Sequence, residues 1–376
     1  MQYQLIENQN QLNSFVEKIK NKPILAIDTE FMRRRTLYPE VALIQVFDGE
    51  HLALIDPLAE LSLFDFWQIL KDPNVLKVLH SPSEDIEVFQ KYAGFVPAPL
   101  FDTQFALQLL GEGNCMGFAL MVNKLLDVEI DKSESRTNWL QRPLTEKQLD
   151  YAAADTYYLL PCFEQIIEKI NHAGFFDIVI NESCLVANKR AFSLPDSEIY
   201  KDIKNAWQLK PHELVVLKEL AAWRKNKAIR KNLALNFVLK EHNLVEIAKR
   251  APSSLNSLRQ IPGVESMEIN RSGIEILKCI DRAKAIDPEN FPAQLKRLID
   301  FVNYKKVAKE VRQKITKVAK EHDIPEDVMA SKKQINQLLS WNWKLTPAQR
   351  ENHIKPDLLS SWRYKYVKDV LSEWDT

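Results

Sequence analysis

Two carboxylates lie close together on the first strongly apolar segment of the chain. Asp28 and Glu30 flank one residue in the run Ile24–Phe31 (ILAIDTEF), which has the composition of a β-strand. In a strand, side chains i and i+2 point to the same face, about 6–7 Å apart along the chain. A strand this apolar is expected to be buried on both sides, so the pair would need a cation or hydrogen-bond donors. The alternative is a strand end where both carboxylates reach solvent.

A third acid, Asp85, is expected at the start of a helix. It follows Ser81-Pro82-Ser83-Glu84, which we interpret as a capping box with Ser81 at the N-cap position. Asp85 would then lie in the first turn, where the partial positive charge of the helix end favours an anion. Acids are also common in first turns without a chemical role. His80, at the preceding strand end, is interpreted as a satisfied polar residue in preference to a metal ligand.

Tyr151 and Asp155 are the fourth and fifth residues of interest. They are four residues apart in the segment YAAAD, so a helix presents both on one face. Thr145 and Gln148 form a predicted capping box at the start of that helix. The three intervening alanines permit close packing against a sheet. An aspartate within such an apolar helix needs a partner, although the pair by itself would be an ordinary surface contact.

The elements that carry these residues form an alternating pattern. We predict strands at 24–31, 41–47, 51–55 and 75–80, and helices at 82–92, 103–110, 117–126 and 146–170. The turn between residues 47 and 50 predicts a hairpin. This pattern indicates a mixed sheet flanked by helices, an α/β domain that ends near residue 195.

From about Tyr200 the pattern is helical to the end, with a weak internal repeat of about 90 residues. Basic amphipathic helices are predicted at 214–235 and 307–320, each followed by a second helical stretch. In register, Lys240, Leu244 and Ile247 match Ser331, Ile335 and Leu338. With linkers at 193–201 and 285–292, the predicted domains are 1–195, 202–288 and 289–376.

Charge is distributed unevenly between the two halves. The chain has 376 residues, with 51 basic and 51 acidic side chains that cancel. Residues 1–200 contain 17 basic and 29 acidic residues, a net charge of −12, so residues 201–376 carry +12. This asymmetry indicates that the basic second half binds an anionic partner.

Several protein classes are excluded at this stage. No apolar run approaches the roughly 18–20 residues of a membrane span, and the first ten residues do not resemble a secretory signal. The four cysteines (Cys115, Cys162, Cys184 and Cys279) contain no C-x-x-C pair, which argues against a zinc site. We therefore expect buried, reduced thiols and a cytoplasmic protein.

The complete set of residues resembles the four-acid pattern of the DEDD exonucleases, in the variant with a tyrosine in the third motif. The set consists of the Asp28/Glu30 pair, Asp85 and the Tyr151/Asp155 pair. Any one acid pair would be a weak signal, whereas the complete set is a strong one.

Two longer segments narrow the resemblance to the ribonuclease D family. These are 131–143 (DKSESRTNWLQRP) and 41–56, which contains LIQVFDGEHLALID. The helical half is similar to that family's C-terminal helicase-and-ribonuclease-D (HRDC) modules. The resemblance covers nearly the whole chain. It implies an α/β ribonuclease H-like exonuclease domain followed by two all-α modules.

The resemblance also implies a role for each acid. Asp28, Glu30 and Asp155 would hold the divalent ion that carries the attacking water. Asp28 would bridge to a second ion, which Asp85 supports directly or through water, and Tyr151 would orient the attacking water. The ions would be Mg²⁺ or Mn²⁺, because both prefer carboxylate and water ligands.

Basic residues near the acids are candidates for contacts with nucleic acid. Four of them precede or follow the acidic motifs: Arg33, Arg35, Arg136 and Arg142. Five more lie on the first basic helix: Arg224, Lys225, Lys227, Arg230 and Lys231. Neutralisation of phosphates by such groups is independent of sequence and sensitive to salt. Each set is also compatible with an ordinary solvated surface.

The predicted function is that of a metal-dependent 3′→5′ exoribonuclease that releases nucleoside 5′-monophosphates. By resemblance, its substrates would be the 3′ ends of tRNA precursors and other structured RNAs. We expect no obligate protein partner, no association with a membrane and no zinc site. One alternative is a 3′→5′ DNA exonuclease, since the same acids serve both sugars. Another is a non-catalytic RNA-binding protein with a degenerate nuclease fold, which the complete set of acids opposes.

Overall fold

The computed structural model describes residues 1–375. Within them a six-stranded mixed sheet forms the centre of the first half, in the order β1-β4-β3-β2-β5-β6. The strands are β1 (Gln4–Ile6), β2 (Ile24–Met32), β3 (Glu40–Phe47), β4 (Leu52–Ile55), β5 (Leu76–Leu79) and β6 (Leu100–Asp102).

Eight helices accompany the sheet among the described residues. They are α1 (Gln9–Ile19), α2 (Phe64–Lys71), α3 (Asp85–Tyr92), α4 (Thr103–Leu109), α5 (Phe118–Leu126), α6 (Glu146–Tyr157), α7 (Leu159–His172) and α8 (Phe176–Ala191). The predicted α/β fold with a mixed sheet is confirmed. The sequence pattern did not predict β1, β6, α1, α2 or α8.

Strand β2 runs through the middle of the sheet, as its apolar composition predicts. It pairs with β3 in antiparallel fashion from Ala26 to Met32. It pairs with β5 in parallel fashion only from Ile24 to Ala26. Beyond Ala26, the edge of β2 that faces β5 is therefore free of strand pairing. The ladder to β3 also shifts register between Glu30 and Phe31, and such bulges commonly redirect side chains beside active sites.

Helix α6 packs against β2, β3 and β4. Its capping box is formed as predicted, with Thr145 accepting from the backbone N–H of Gln148. The single helix predicted over 146–170 is wrong, because the chain forms two helices that join at Tyr158. Pro161 provides a reason, since it lacks the N–H that a continuous helix would bond to residue 157.

Two other local predictions are wrong. Ser81 does not cap a helix: it adopts a left-handed conformation with φ of 58°, and its N–H donates to Asp102 at 2.9 Å. Helix α3 instead begins at Asp85 without a side-chain cap, although Asp85 does lie in its first turn. The cysteines are all free, but Cys115 and Cys184 are exposed.

The second half is helical, as predicted. Its first module contains α9 (Pro211–Lys231), α10 (Leu235–Val238), α11 (Glu241–Arg250), α12 (Leu255–Arg259) and α13 (Ser266–Lys284). Its second module contains α14 (Tyr304–Glu321), α15 (Glu326–Met329), α16 (Lys332–Lys344), α17 (Pro347–Arg350), α18 (Asp357–Ser360) and α19 (Tyr364–Val367). Short 3₁₀ turns lie at Ile199–Asp202, Ala206–Gln208, Pro288–Asn290, Leu298–Asp300 and Ser372–Trp374.

The two modules repeat the same order of elements. A long helix, α9 or α14, is followed by a four-residue helix and then by α11 or α16. Lys240 and Ser331, which the sequence register pairs, are the N-cap residues of α11 and α16. The periodicity in the sequence thus reflects a structural repeat. The domain boundaries at 195, 202 and 288–289 stay predictions.

The modules attach to the first half of the chain in different ways. The second module shares a continuous apolar core with the sheet and α8, reinforced by an ion pair between Arg363 and Glu182 at 2.6 Å. The first module has a core of its own. It reaches the loop after β2 through polar contacts, including a 2.7 Å hydrogen bond from the Ala234 N–H to the Arg35 carbonyl.

No helix among residues 1–375 is long and apolar enough to cross a membrane.

Candidate active site

Three of the predicted acids converge at the unpaired edge of β2. Asp28, Glu30 and Asp155 each direct a carboxylate oxygen to one place, where these atoms lie within 4.8 Å of one another. Alternation along β2 directs Asp28 and Glu30 to the face that α6 covers. Helix α6 contributes Asp155, and the alanines that precede Asp155 allow this helix to pack close to the sheet. The structure thus brings three of the predicted acids together, and their role as metal ligands stays a prediction.

Asp85 approaches from the opposite side of the strand. It is buried, and its carboxylate accepts a hydrogen bond from the Thr29 hydroxyl. Thr29 lies between Asp28 and Glu30 and points to the other face of β2. Asp85 is thus held beside the three-acid cluster but outside it. The sequence analysis missed Thr29, for which the alternation of faces along the strand was the available signal.

In the part of the chain that the structure describes, the carboxylates of the cluster have no basic side chains paired with them. Among residues 1–375, no lysine, arginine or histidine forms an ion pair with Asp28, Glu30, Asp85 or Asp155. Burial, followed by repulsion from Asp85, Asp155 and Glu30, raises the pKa of Asp28 well above its usual range. Burial raises the pKa of Glu30 to about 9, with further contributions from Asp155 and Asp85.

The remaining acids are also more difficult to ionise than usual. Burial raises the pKa of Asp155 to about 7, against a hydrogen bond with Tyr151 that lowers it. Burial raises the pKa of Asp85 to about 6, and the Thr29 hydroxyl opposes the shift. Carboxylates that are crowded, desolvated and without cationic partners favour a bound cation. Carboxylate oxygens are the ligands that Mg²⁺ and Mn²⁺ prefer, so the residues fit a site for such ions.

Tyr151 lies on the same face of α6, one turn before Asp155. Its ring lies 6.0 Å from that of Trp139, centroid to centroid, and Trp139 is almost fully buried. Burial and the neighbouring acids raise the pKa of Tyr151. The hydroxyl therefore stays protonated at neutral pH and is able to donate or accept a hydrogen bond. The sequence did not reveal that the ring of Trp139 packs beside the ring of Tyr151.

A pocket of about 190 Å³ adjoins the acids. Its lining includes Asp28, Tyr151 and Asp155 together with His80, Phe118 and Lys132. His80 is not available as a ligand, because Nε2 lies 2.9 Å from the Met116 carbonyl and Nδ1 lies 2.9 Å from the Thr103 hydroxyl. Burial lowers the pKa of His80 to about 4. The interpretation of His80 as a satisfied polar residue is thus confirmed.

Comparison with known proteins decides the family. A "3'-5' exonuclease" family model matches residues 3–173, an "HRDC domain" model matches 213–280, and a "Ribonuclease D, C-terminal HRDC domain" model matches 303–371. The chain is 41% identical to ribonuclease D of Escherichia coli, over 99% of this chain and 98% of that protein. It is 42% identical to ribonuclease D of Cronobacter turicensis, over 98% of both chains.

The fold agrees with the sequence comparison. A crystal structure of E. coli RNase D superimposes with a TM-score of 0.93 at 40% identity and covers 100% of this chain and 98% of that one. The chain belongs to the ribonuclease D family. It is therefore a 3′→5′ exoribonuclease, a hydrolase of phosphodiester bonds, from a metal-dependent class of exonucleases.

The basic residues near the site have different environments in this ribonuclease D family member. Arg33 forms an ion pair with Glu87. The Arg35 side chain lies 5.8 Å from the ring of Phe237 in the first module. Arg136 is exposed.

Arg142 is a structural residue, which corrects its assignment to nucleic-acid binding. Its guanidinium donates to both oxygens of Asp56 and to the carbonyls of Ala42, Trp139 and Gln141. These bonds use all five of its N–H donors, so none is left for a phosphate.

The first basic helix, α9, also contributes fewer free cations than its sequence suggests. Arg224 is buried and donates to the carbonyl of Leu239. Lys225 pairs with Asp196 at 3.0 Å, and Lys227 pairs with Glu275 at 2.9 Å. Successive positions of a helix are about 100° apart, so the cluster is spread around α9 and part of it faces the protein. Of the five predicted residues, Arg230 and Lys231 are exposed.

Proposed function

We propose that the acid cluster binds two divalent ions, Mg²⁺ or Mn²⁺, and that the enzyme trims the 3′ ends of precursor tRNAs and other structured RNAs. The single observation that carries the metal assignment is the convergence of Asp28, Glu30 and Asp155 within 4.8 Å, where no basic residue among 1–375 forms an ion pair with them. When bound, two such ions would activate the attacking water and neutralise charge on the attacking and leaving oxygens.

Each residue of the site has a distinct task in this proposal. Asp28, Glu30 and Asp155 would hold one ion, and Asp28 would also help to hold the second. Asp85, fixed by Thr29, would support the second ion directly or through water. Tyr151 remains protonated, so its hydroxyl orients the attacking water without adding another negative charge. The products would be nucleoside 5′-monophosphates.

The substrate class rests on two observations. The E. coli relative is described as an exoribonuclease involved in structured RNA processing, and residues 201–376 carry a net charge of +12. Helix α14 presents exposed cations along its length, and four of them form no ion pair within residues 1–375. These are Lys305, Lys306, Lys309 and Arg312. We infer that they, together with Arg136, Arg230 and Lys231, contact RNA phosphates.

The decisive experiment compares three labelled substrates under identical conditions. The purified enzyme with Mg²⁺ or Mn²⁺ is incubated with a tRNA carrying a 3′ extension, an unstructured RNA and a single-stranded DNA. We expect 5′-mononucleotides from the RNA extension and arrest near the folded body. Equal rates on DNA would contradict the RNA preference, and no dependence on divalent ions would contradict the metal assignment.

The expectation of a cytoplasmic enzyme stays a prediction, which cell fractionation tests directly.

A further inference from the structure

A large pocket lies where the two helical modules meet, apart from the acid cluster. This inter-module pocket has a volume of about 680 Å³ and is lined by residues from 197–207, 290–301 and 340–353, together with Lys218 of α9. None of its lining residues also lines the pocket beside Asp28. Its size falls within the roughly 300–1,000 Å³ range of ligand sites.

The pocket has a positive lining. Five basic side chains and two acidic ones give it a net charge of +3. The basic ones are Lys201, Lys218, Lys296, Arg297 and Lys344. Within residues 1–375, Lys201 pairs with Glu198 and Arg297 pairs with Asp300. The other three lysines form no ion pair there, although Asp202 and Asp300 lie close enough to Lys344 to interact with it electrostatically.

Aromatic rings lie among these cations. The Arg297 guanidinium lies 3.9 Å from the centre of the Trp207 ring. Phe301 and Trp343 stack with centroids 5.5 Å apart and an angle of 28° between their planes. All three rings are only partly buried. Flat aromatic surfaces bind bases, and ammonium groups bind the phosphates that connect them.

The inter-module pocket also opens toward the catalytic domain. It shares six lining residues with a second pocket of about 810 Å³: Glu198, Lys201, Asp202, Ser340, Leu345 and His353. The second pocket extends to Leu37 and Tyr38, on the loop after β2, and to Glu87 of α3. Helix α3 also carries Asp85. A strand seated between the modules therefore has a continuous cleft leading toward the catalytic half.

We propose that the inter-module pocket binds a single-stranded segment of the RNA substrate upstream of its 3′ end, with bases against Trp207, Phe301 and Trp343 and phosphates against Lys218, Lys296 and Lys344. The proposal rests on the RNA substrate proposed above. It assigns to this pocket a role in substrate affinity that is separate from bond cleavage. We expect a trinucleotide held by its 3′ end to be too short to reach the pocket, and a longer RNA to reach it.

The test neutralises two of the unpaired lysines. The variant Lys218→Gln/Lys344→Gln is compared with Lys18→Gln/Lys71→Gln, a control that changes the net charge equally at exposed positions of α1 and α2. Binding of a long single-stranded RNA is measured in EDTA at several salt concentrations. We expect Kd to rise about 5- to 20-fold and the slope of log Kd against log salt to fall by about 1.4, as for two lost phosphate contacts of a single strand at ~0.7 each.

Kinetics distinguish binding from a general loss of structure. On the long RNA with Mg²⁺, KM of the variant should rise while kcat is unchanged, and both constants should be unchanged on a trinucleotide. Equal Kd, salt slope and KM for the variant and the control would overturn the proposal. If the wild-type enzyme degraded no RNA, the proposed function would fail instead, so the two failures are distinguishable.

Photo-crosslinking locates the contact without any substitution. Wild-type protein in EDTA is irradiated with RNA that contains 4-thiouridine, and the crosslinked peptides are mapped. The proposal predicts adducts on peptides containing Trp207, Phe301 or Trp343. Adducts confined to other regions would contradict it. Full competition by a free nucleoside monophosphate would also contradict it, because the pocket would then bind a mononucleotide and not an RNA segment.

Discussion

Unpaired charge is arranged in opposite ways in the two halves of the molecule. In the catalytic half, Asp28, Glu30 and Asp155 converge at one point and are partly or fully buried. In the helical half, unpaired cations such as Lys305 and Lys309 are spread along an exposed helix. Bond cleavage requires charges fixed around a few atoms, whereas binding of a polyanion requires charges spaced along a surface.

The comparison predicts that the two halves respond differently to neutralisation of a single charge. One substitution in the converged set should be severe, because the remaining acids cannot replace the missing ligand. One substitution in the dispersed set should be mild, because each cation contributes independently to binding.

The largest effect is expected for Asp28→Asn and Asp155→Asn. Each should lower kcat at least about 10³-fold, beyond the ~10²–10³-fold loss typical of one stabilising donor, because each removes a ligand from the shared site. The measurement is mononucleotide release at saturating RNA and Mg²⁺. Asp150→Asn, an exposed acid on the same helix, is the matched control. Activity within a few-fold of the wild type would show that the acids do not act as one set.

A smaller effect is expected for Tyr151→Phe. It retains the aromatic packing against Trp139 but removes the hydroxyl, so kcat should fall about 10²-fold, within the usual contribution of a positioned proton-handling group. The Kd for RNA should not change. Tyr157→Phe, on the same helix, should leave kcat unaltered. If both substitutions had the same effect, the hydroxyl of Tyr151 would have no specific role.

The free energy of unfolding should depend on pH and on bound metal, because the carboxylates of the acid cluster are buried and crowded. The pKa values of Asp155 and Glu30 are raised to about 7 and about 9 in the folded state, so the folded protein binds more protons than the unfolded chain between about pH 4 and 9. Without divalent metal, the free energy of unfolding should therefore decrease as pH rises through this range.

Thermal melts in EDTA and in Mg²⁺ at pH 6 and pH 8 test this expectation. Metal should raise Tm more at pH 8 than at pH 6. Asp28→Asn should raise the stability of the metal-free protein by about 0.5–2 kcal/mol and weaken the response to metal. A metal-induced shift in Tm that is independent of pH would contradict the account.

The mildest effects are expected for substitutions on the two basic helices, and these effects should differ between α14 and α9. Lys305→Gln/Lys306→Gln/Lys309→Gln on α14 should weaken RNA binding and reduce the salt slope by about 2, given ~0.7 per phosphate contact of a single strand. Lys225→Gln/Lys227→Gln on α9 should leave the salt slope unchanged and lower Tm, because both lysines are engaged within the protein. The reverse result would reject the assignment of α14 as the RNA-contacting helix.

Removal of the second module is a less informative test of this division of labour. Its apolar core is continuous with that of the sheet, and Lys189 of α8 pairs with the buried Asp357 at 2.6 Å. A truncation would therefore expose catalytic-domain surface as well as remove cations. Surface substitutions avoid this problem.

The sequence predicted the site better than it predicted its surroundings. Asp28, Glu30 and Asp155 were singled out by strand alternation and helix periodicity, which are local rules, and the resemblance to the DEDD exonucleases joined them into one set. The ion pair of Arg142 with Asp56 was missed because it joins residues 86 positions apart. The burial of Arg224 was missed for a similar reason, since tertiary packing decides which side of an amphipathic helix faces solvent. Short elements such as β1 and β6 depend on their neighbours in the sheet and have little local signal.

Calorimetric titration of the metal-free enzyme with Mn²⁺, repeated in two buffers of different ionisation enthalpy, tests the central claim most directly. The account predicts two bound ions per chain, release of protons because metal replaces them on the raised-pKa carboxylates, and loss of both signals in Asp28→Asn. Binding without proton release, or an unchanged stoichiometry in Asp28→Asn, would contradict the claim that the converged acids are the metal site.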